Sequence, residues 1–578
     1  MSLAPAAAGA GPGTGASGLA RSGIRRLLHR GPDGYGVTGD TRSAVAMCRL
    51  RVRSRPADTV PFGTGAASPA HAYNGEVYAV GDRAWAGTGP VTVPAGGLDE
   101  CEAVDGHEAS CLDGMYALVR RAPDGSVEVS RDPLGIKPLY LRRHPDGVAV
   151  ASEIPALLGL FGPARIRPAA IAQFLLLGRV VDGGTCYEDI EPVPPGARLL
   201  LKEGRTGGLA GGPAWVREAD PPLLPAASRE AAASPQALRE AVSRAVDRVL
   251  VSDRPLGLAL SGGLDSTVLA TELARRGVTD LSTVSVVPQG NGDGVRDIAS
   301  LGLPGTAWRS WRHRWIEFGP RDLLDGCADA VAALGEPTAM TSVPMYAALA
   351  RLARESGIVV LLVGEGADEL FGGYRSYLGL TGAGNAAGFY LSPQRDRLVR
   401  RLLGEEAWAA ARDALVAALP DPQGRPPAEV VREFEYQHSL EPLLRRADHL
   451  LMAHGVEGRT PFLHGGLPRL AASIPFAELV REGRTKVPLR RAFAAELPHY
   501  LDEVKKPFRA PVDDWLTGPQ YPVVAARLSA HRAGLTAAGL RPEGLDDLER
   551  GLAAGDPTAI GLVFAMLTLG AWLDGAPG

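Results

Sequence analysis

Two rhythms of apolar and polar positions divide this chain. Up to about residue 200 the apolar positions come in short runs, several alternating with polar ones: AVAMCRLRV, AHAYNGEVYAV, MYALVRRAPDGSVEVSRD, GVAVASE and ARLLLKEG, punctuated by turn formers such as APDG and HPDG. A period of two puts apolar side chains on one face of a strand, and tight turns between such runs favour hairpins, so antiparallel sheets are predicted. After residue 235 the rhythm lengthens. PQALREAVSRAVDRVLV, STVLATELARR and VPMYAALARLARES carry helix-spaced apolar residues around the strand-like runs LGLAL, STVSVV and GIVVLLV. Strands alternating with helices predict a parallel α/β sheet. Between the two regions, residues 203–235 are rich in Gly, Pro, Ala and Ser and read as a linker. No internal repeat is present.

Composition narrows the classes. A chain of 578 residues, 45% hydrophobic and 22% charged, has material for two or more domains. A net charge of -4 carries no basic excess for holding phosphate backbones, so nucleic acid is not an expected partner, and the basic RLRVRSR at 49–55 reads as a solvated stretch. The five cysteines lack CxxC spacing, which predicts neither a zinc site nor a disulfide framework and suits a reducing cytoplasm. The first residues lack a signal-peptide pattern, and no run of roughly 18 apolar residues stands out, so no membrane association is expected.

Two loops carry candidate chemistry. LGLAL runs into SGGLDS and then into a helix-like stretch, which places the loop at the carboxyl edge of a parallel sheet, where such folds bind ligands. Gly262 and Gly263 let backbone approach an anion, the amides of the helix start point at it, and Ser261 and Ser266 add hydroxyls. No lysine follows the glycines as in a kinase-type phosphate loop, and Asp265 would repel phosphate unless a cation lies between them, so magnesium-bound pyrophosphate is the simplest ligand. The second loop, in IVVLLVGEGADELFGGYRSY, crowds Glu365, Asp368 and Glu369 onto one turn, an arrangement that calls for a cation or a proton-transfer role.

SGGLDS together with GEGADELFGGY resembles the glutamine-dependent asparagine synthetases, and the resemblance covers nearly the whole chain. HRGPDGYG, YNGEVY, LDGMYAL, RDPLGIKPLY, ASEIPALL and VPPG resemble that family's glutaminase domain, and ADHLLMAHGVEGRTPFL, TKVPLRRAF and KKPFRAPVDDWL its synthetase domain. The resemblance implies an Ntn-type αββα glutaminase-like domain with antiparallel sheets (1–205), a linker (206–235) and a parallel-sheet ATP-pyrophosphatase (PP-loop) domain (236–578). It implies ATP and Mg2+ as cofactors, a small-molecule carboxylic acid as substrate and ammonia or an amine as nitrogen donor, with a homodimer open as the assembly. By the same resemblance Ser261, Gly262, Gly263, Asp265, Ser266 and Gly364, with backbone near Val286 and Val287, bind ATP and pyrophosphate. Asp265 and Asp368 hold the metal, Lys486 stabilises charge on the acyl adenylate, and Glu365 takes a proton from the attacking nitrogen.

The departures are as informative. Members of that family begin Met-Cys-Gly and use the cysteine as an N-terminal nucleophile, whereas here Ser2 is followed by LAPAAAGAGPG, without the apolar strand expected behind a nucleophile. Arg49, Asn74, Gly75, Glu76 and Asp99 still match positions that hold glutamine. His464 stands where the family usually has Asp, and EPTAMTSVPMY (336–346) differs in the segment that helps shape the acid site. The expected activity is amide synthesis on aspartate or a specialised acid. A ring-closing relative, such as a β-lactam synthetase or lasso-peptide cyclase, and a non-catalytic regulatory protein are the alternatives.

Overall fold

The computed structural model describes residues 2–3, 15–52, 60–61, 70–80, 112–145, 147–201, 216–217, 234–290, 294–380, 386–501, 508 and 510–575. Asp99 lies outside them.

The alternating N-terminal segments form two antiparallel sheets. One contains β1 (Ser2–Leu3), β2 (Tyr35–Gly39), β3 (Ser43–Cys48), β7 (Tyr140–His144), β8 (Gly147–Ala151) and β9 (Ile190–Pro192), in the order β2-β3-β1-β8-β7-β9. The other contains β4 (Ala70–Val80), β5 (Leu112–Arg121), β6 (Val127–Arg131), β10 (Ala197–Leu201) and β11 (Val216–Arg217), in the order β11-β10-β6-β5-β4. Their inner faces meet in a core of Val45, Val119, Val129, Leu141, Val150 and Leu199, where period-two alternation delivers branched residues to one side. Helices Ala16–Arg25 and Ile154–Phe161 pack on the first sheet.

Two expectations change here. The N-terminus does enter a sheet: β1 lies between β3 and β8, with Ser2 opposite Ala44 and Ala149. Two residues suffice because both neighbours supply backbone partners, so no long apolar run was required. The expected linker also contributes β11, paired with β10, so the second sheet reaches beyond residue 205.

The C-terminal half is built on a five-stranded parallel sheet of β12 (Leu256–Ala259), β13 (Ser282–Pro288), β14 (Arg312–Phe318), β15 (Val360–Leu362) and β16 (Glu457–Arg459), in the order β14-β13-β12-β15-β16. The inner strands β13 and β15 are buried and rich in Val and Leu, as a sheet covered on both faces demands, whereas β14 at the edge is largely exposed. One helix, Pro557–Gly575, is long and apolar enough to cross a membrane, contrary to the expectation that no such run exists, and 67% of its most apolar stretch is buried inside the protein, as in a core helix.

A buried ionic seam joins the halves. Arg30 donates to Glu153 at 2.8 Å and to Asp448 at 2.5 Å, and Lys137 reaches the other oxygen of Asp448 at 3.1 Å. The loop carrying Lys137 is shaped by buried Asp132, which accepts from the amides of Ile136 (2.9 Å) and Lys137 (3.0 Å). A second group centres on fully buried Arg459, which meets Glu457 at 2.8 Å, Glu76 at 3.3 Å and the carbonyls of Val249 and Val251, both at 2.7 Å. Burial alone would raise the Asp448 carboxyl, but Arg30 and Lys137 outweigh it and hold it well below the usual carboxylate range.

Asp448 therefore contributes stability that is present above the ordinary carboxylate pKa and is lost as pH falls below it. Asp448→Asn should remove about 3–5 kcal/mol, because it leaves two buried cations short of a counter-charge. Urea unfolding at neutral pH and at pH about 3 checks this: a penalty under about 1 kcal/mol at neutral pH, or one that does not shrink in acid, contradicts it.

Candidate active site

β12 and β15 are adjacent and parallel, so the loops leaving their carboxyl ends converge. After β12, Gly262 adopts φ +78°, a left-handed conformation that glycine takes without Cβ strain, and the helix Leu264–Arg275 begins directly afterwards. The turn is internally braced. The Ser261 amide donates to Ser266 Oγ at 3.2 Å, Ser266 Oγ donates to the Gly263 carbonyl at 3.1 Å, and Tyr500 donates to the Gly262 carbonyl at 2.6 Å. Val286 and Val287 lie near the carboxyl end of neighbouring β13, both buried. Gly364 opens the loop after β15 and comes so close to the first loop that a Cβ there would stand 3.1 Å from Asp265 Cβ.

Lys486 ties the loops together. Its Nζ lies 2.5 and 2.6 Å from the two carboxylate oxygens of Asp265 and 2.6 Å from Asp368 Oδ1. The lysine is 2% exposed and sits at φ +56°, one of three non-glycine residues with positive φ among the described residues. Such a conformation costs of order 1–3 kcal/mol and persists where the surroundings fix it. Burial by itself would lower its pKa, yet the two carboxylates outweigh burial and raise it, so the ammonium is held charged. Gly373 packs against this triad: a Cβ there would fall 1.7 Å from Asp368 Oδ1 and 2.2 Å from Lys486 Cε. Glu369 turns away and accepts from the Tyr374 hydroxyl, and burial with the charge of Asp368 pushes its carboxyl up to about 7.

Glu365 is held by a partner that the sequence did not point to. Arg446 donates to it at 2.7 Å and to Ser342 Oγ at 2.5 Å, with its guanidinium 4.6 Å from the centre of the Tyr346 ring. The pair raises the Arg446 pKa against the opposing effect of burial. Ser342 and Tyr346 belong to the divergent segment 336–346, so that segment does shape the surroundings of Glu365. Arg446 and Tyr500 escaped the sequence reading, and Gly373 and Ser342 fall within GEGADELFGGY and EPTAMTSVPMY without having been singled out there; Arg446, one residue ahead of ADHLLMAHG, gave a signal as a charge on the buried face of an amphipathic helix.

His464 belongs elsewhere. It is fully buried at the seam, its ring 5.1 Å from that of Tyr78 in an edge-on contact, and burial beside Arg248, Arg459 and Lys137 pushes it down to about 3. In the N-terminal half, Asn74, Gly75 and Glu76 lie on β4 and Arg49 follows β3. Buried Glu76 faces Arg459 of the other half. No metal-ligating cluster of three or more His, Cys, Asp or Glu occurs among the described residues.

Two antiparallel sheets joined to a parallel sheet of ATP-pyrophosphatase (PP-loop) type, whose strand ends carry a braced Ser-Gly-Gly loop and an acidic loop, define the fold class. The Asparagine synthase family model matches residues 237–574 and the Glutamine amidotransferase domain model matches 101–208. The chain belongs to the asparagine synthase family. It is 27% identical over 82% of its length to Asparagine synthetase [glutamine-hydrolyzing] 1 of Arabidopsis thaliana, covering 71% of that protein. It is 25% identical over 71% of its length to the Bacillus subtilis (strain 168) enzyme of the same name, covering 69% of it. A solved glutamine phosphoribosylpyrophosphate amidotransferase from B. subtilis matches 61% of this chain and 79% of its own at 14% identity, with a TM-score of 0.23, too faint a likeness to argue from.

Gly373→Ala tests the packed triad. The added methyl must displace Asp368 or Lys486, and acid-dependent pyrophosphate release should fall by about 10²-fold, the scale of a 1 Å misplacement in an active site. Lys486→Ala should raise the barrier by about 2.7–4 kcal/mol. Turnover within tenfold of wild type in either folded variant would refute the arrangement.

Proposed function

We propose that this protein is an ATP-dependent, AMP-forming amide ligase: a carboxylic acid is activated as its acyl adenylate with loss of pyrophosphate, and ammonia or an amine then attacks. In this reading residues 1–205 form a glutaminase-like domain, to whose second sheet β11 adds from within the 206–235 linker, and 236–578 form the synthetase domain. The observation that carries it is the triad of Asp265, Asp368 and Lys486 at the mouth of the Ser-Gly-Gly loop.

Two carboxylates converging on one cation form a donor set suited to magnesium, which binds through one or two carboxylates and substrate phosphates. Asp265 and Asp368 would hold it, and it would neutralise phosphate charge. Ser261, Ser266 and the amides at the helix start would orient pyrophosphate. Lys486, drawn from its carboxylates, would face the charge that develops on acyl transfer. Glu365, oriented by Arg446, would accept the proton of the attacking nitrogen.

The nitrogen would come as ammonia or a free amine. Glutamine hydrolysis in this family needs an N-terminal thiol. Position 2 is serine, and the described cysteines are held as thiols by burial, Cys48 pushed up to about 11, Cys327 to about 12 and Cys186 raised as well. The β1 pairing places the backbone of Ser2 in a sheet, so Ser2→Ala belongs in the test.

Glu365→Gln should leave acid-dependent ATP–pyrophosphate exchange within about threefold and slow amide formation by about 10²–10⁴-fold, the usual worth of a general base. Equal loss of both steps would remove Glu365 from the role of base. Ammonium salts, and not glutamine, should support amide formation, whereas stoichiometric glutamate release that disappears in Ser2→Ala would establish the serine as a nucleophile.

A further inference from the structure

A cavity of about 420 Å³ opens beside the proposed ligase centre, walled on one side by residues 174–186 of the N-terminal half and on the other by residues 336–340, Tyr374 and the start of the helix Leu440–Met452. The segments lining it also surround Glu365: Ser342 follows residues 336–340, Tyr374 ends the acidic loop, and Arg446 rides on the same helix as Leu443 and Arg445. Its volume falls within the ~300–1,000 Å³ typical of small-molecule sites.

Phe174, Leu177, Met340, Phe389, Tyr390 and Leu443 give it apolar and aromatic walls. Its charges are already matched. Arg179 pairs with Glu435 at 2.8 Å, Arg445 pairs with Glu336, and these carboxylates also accept from Ser439 Oγ and the Cys186 amide, both at 2.5 Å. Glu441, the third carboxylate of the lining, is likewise paired, 3.9 Å from Arg131. Aspartate would bring a second carboxylate and an ammonium into the cavity, and each would have to draw a partner out of a buried ion pair, which is strongly unfavourable.

We propose that this cavity receives the body of the acid substrate, and that the acid is a monocarboxylic acid with an apolar or aromatic body and no second carboxylate. The inference rests on the ligase reading and goes beyond it in naming the substrate class. A small apolar body gains affinity by burial in such a pocket, while its single carboxylate stays at the adenylating loops.

The test is ATP–pyrophosphate exchange with aspartate, glutamate, octanoate, hydrocinnamate and cinnamate as probes, in wild type and in Leu177→Trp and Leu443→Trp, which fill the cavity from opposite walls. Binding of a fluorescent ATP analogue reports whether each variant is folded, and Leu177→Phe and Leu443→Phe replace any that is not. Exchange should occur with at least one monocarboxylic probe and not with aspartate or glutamate, and both filled variants should raise its KM about tenfold or more. Exchange with aspartate or glutamate overturns the substrate class while leaving the ligase reading intact. Exchange with a monocarboxylic probe that ignores both filled variants overturns the placement. No exchange with any acid, from protein that binds ATP and magnesium, overturns the ligase reading and this inference with it.

Discussion

Two carboxylates at the ends of neighbouring parallel strands repel each other, and the protein resolves that repulsion with one buried ammonium. Unit charges about 4 Å apart interact by roughly 4 kcal/mol at an effective dielectric near 20, so Asp265 and Asp368 could not share this space without a cation. Lys486 supplies it at 2.5–2.6 Å. Much of the local architecture follows. Gly373 must lack a side chain, Gly364 must let the loops touch, and Lys486 must take a left-handed backbone to deliver its amine. A site tied in this way is closed by its own charge.

The second constraint is the seam. Arg30, Lys137 and Glu153 stand in three of the N-terminal motifs, HRGPDGYG, RDPLGIKPLY and ASEIPALL, and all three belong to the ionic group around Asp448. The helix that carries Asp448 also carries Arg446, which holds Glu365, and Arg445, which holds Glu336 at the interdomain cavity. The N-terminal half thus has a structural task, because removing it would strip partners from buried charges on the helix that carries Arg446. Glu76 makes the same point. It matches a glutamine-site position and in this structure faces Arg459 of the opposite half.

Much of this was legible in the chain. Alternation gave the antiparallel strands closely, with AHAYNGEVYAV becoming β4 over Ala70–Val80, and helix-spaced apolar residues gave Pro235–Val249, Leu264–Arg275 and Ser342–Glu355. The Ser-Gly-Gly and acidic loops were recognisable because their chemistry is concentrated in adjacent residues. The N-terminal strand was missed because a two-residue segment has no periodicity to read, and Pro557–Gly575 was missed because its apolar run is broken by small residues that matter little once the helix is buried.

The sequence by itself determined which backbone segments could be strands or helices and which short loops could meet phosphate, since both depend on neighbours within a few positions. Only the tertiary structure decided the partners. Lys486 lies more than two hundred positions beyond Asp265, Arg446 about eighty beyond Glu365, and Asp448 more than four hundred beyond Arg30. Charge in a buried site is governed by distance and desolvation, and neither quantity is written in the spacing of residues along the chain. For the same reason Lys486, Glu76 and His464, ordinary polar residues in the linear text, acquire their character from the elements that fold against them.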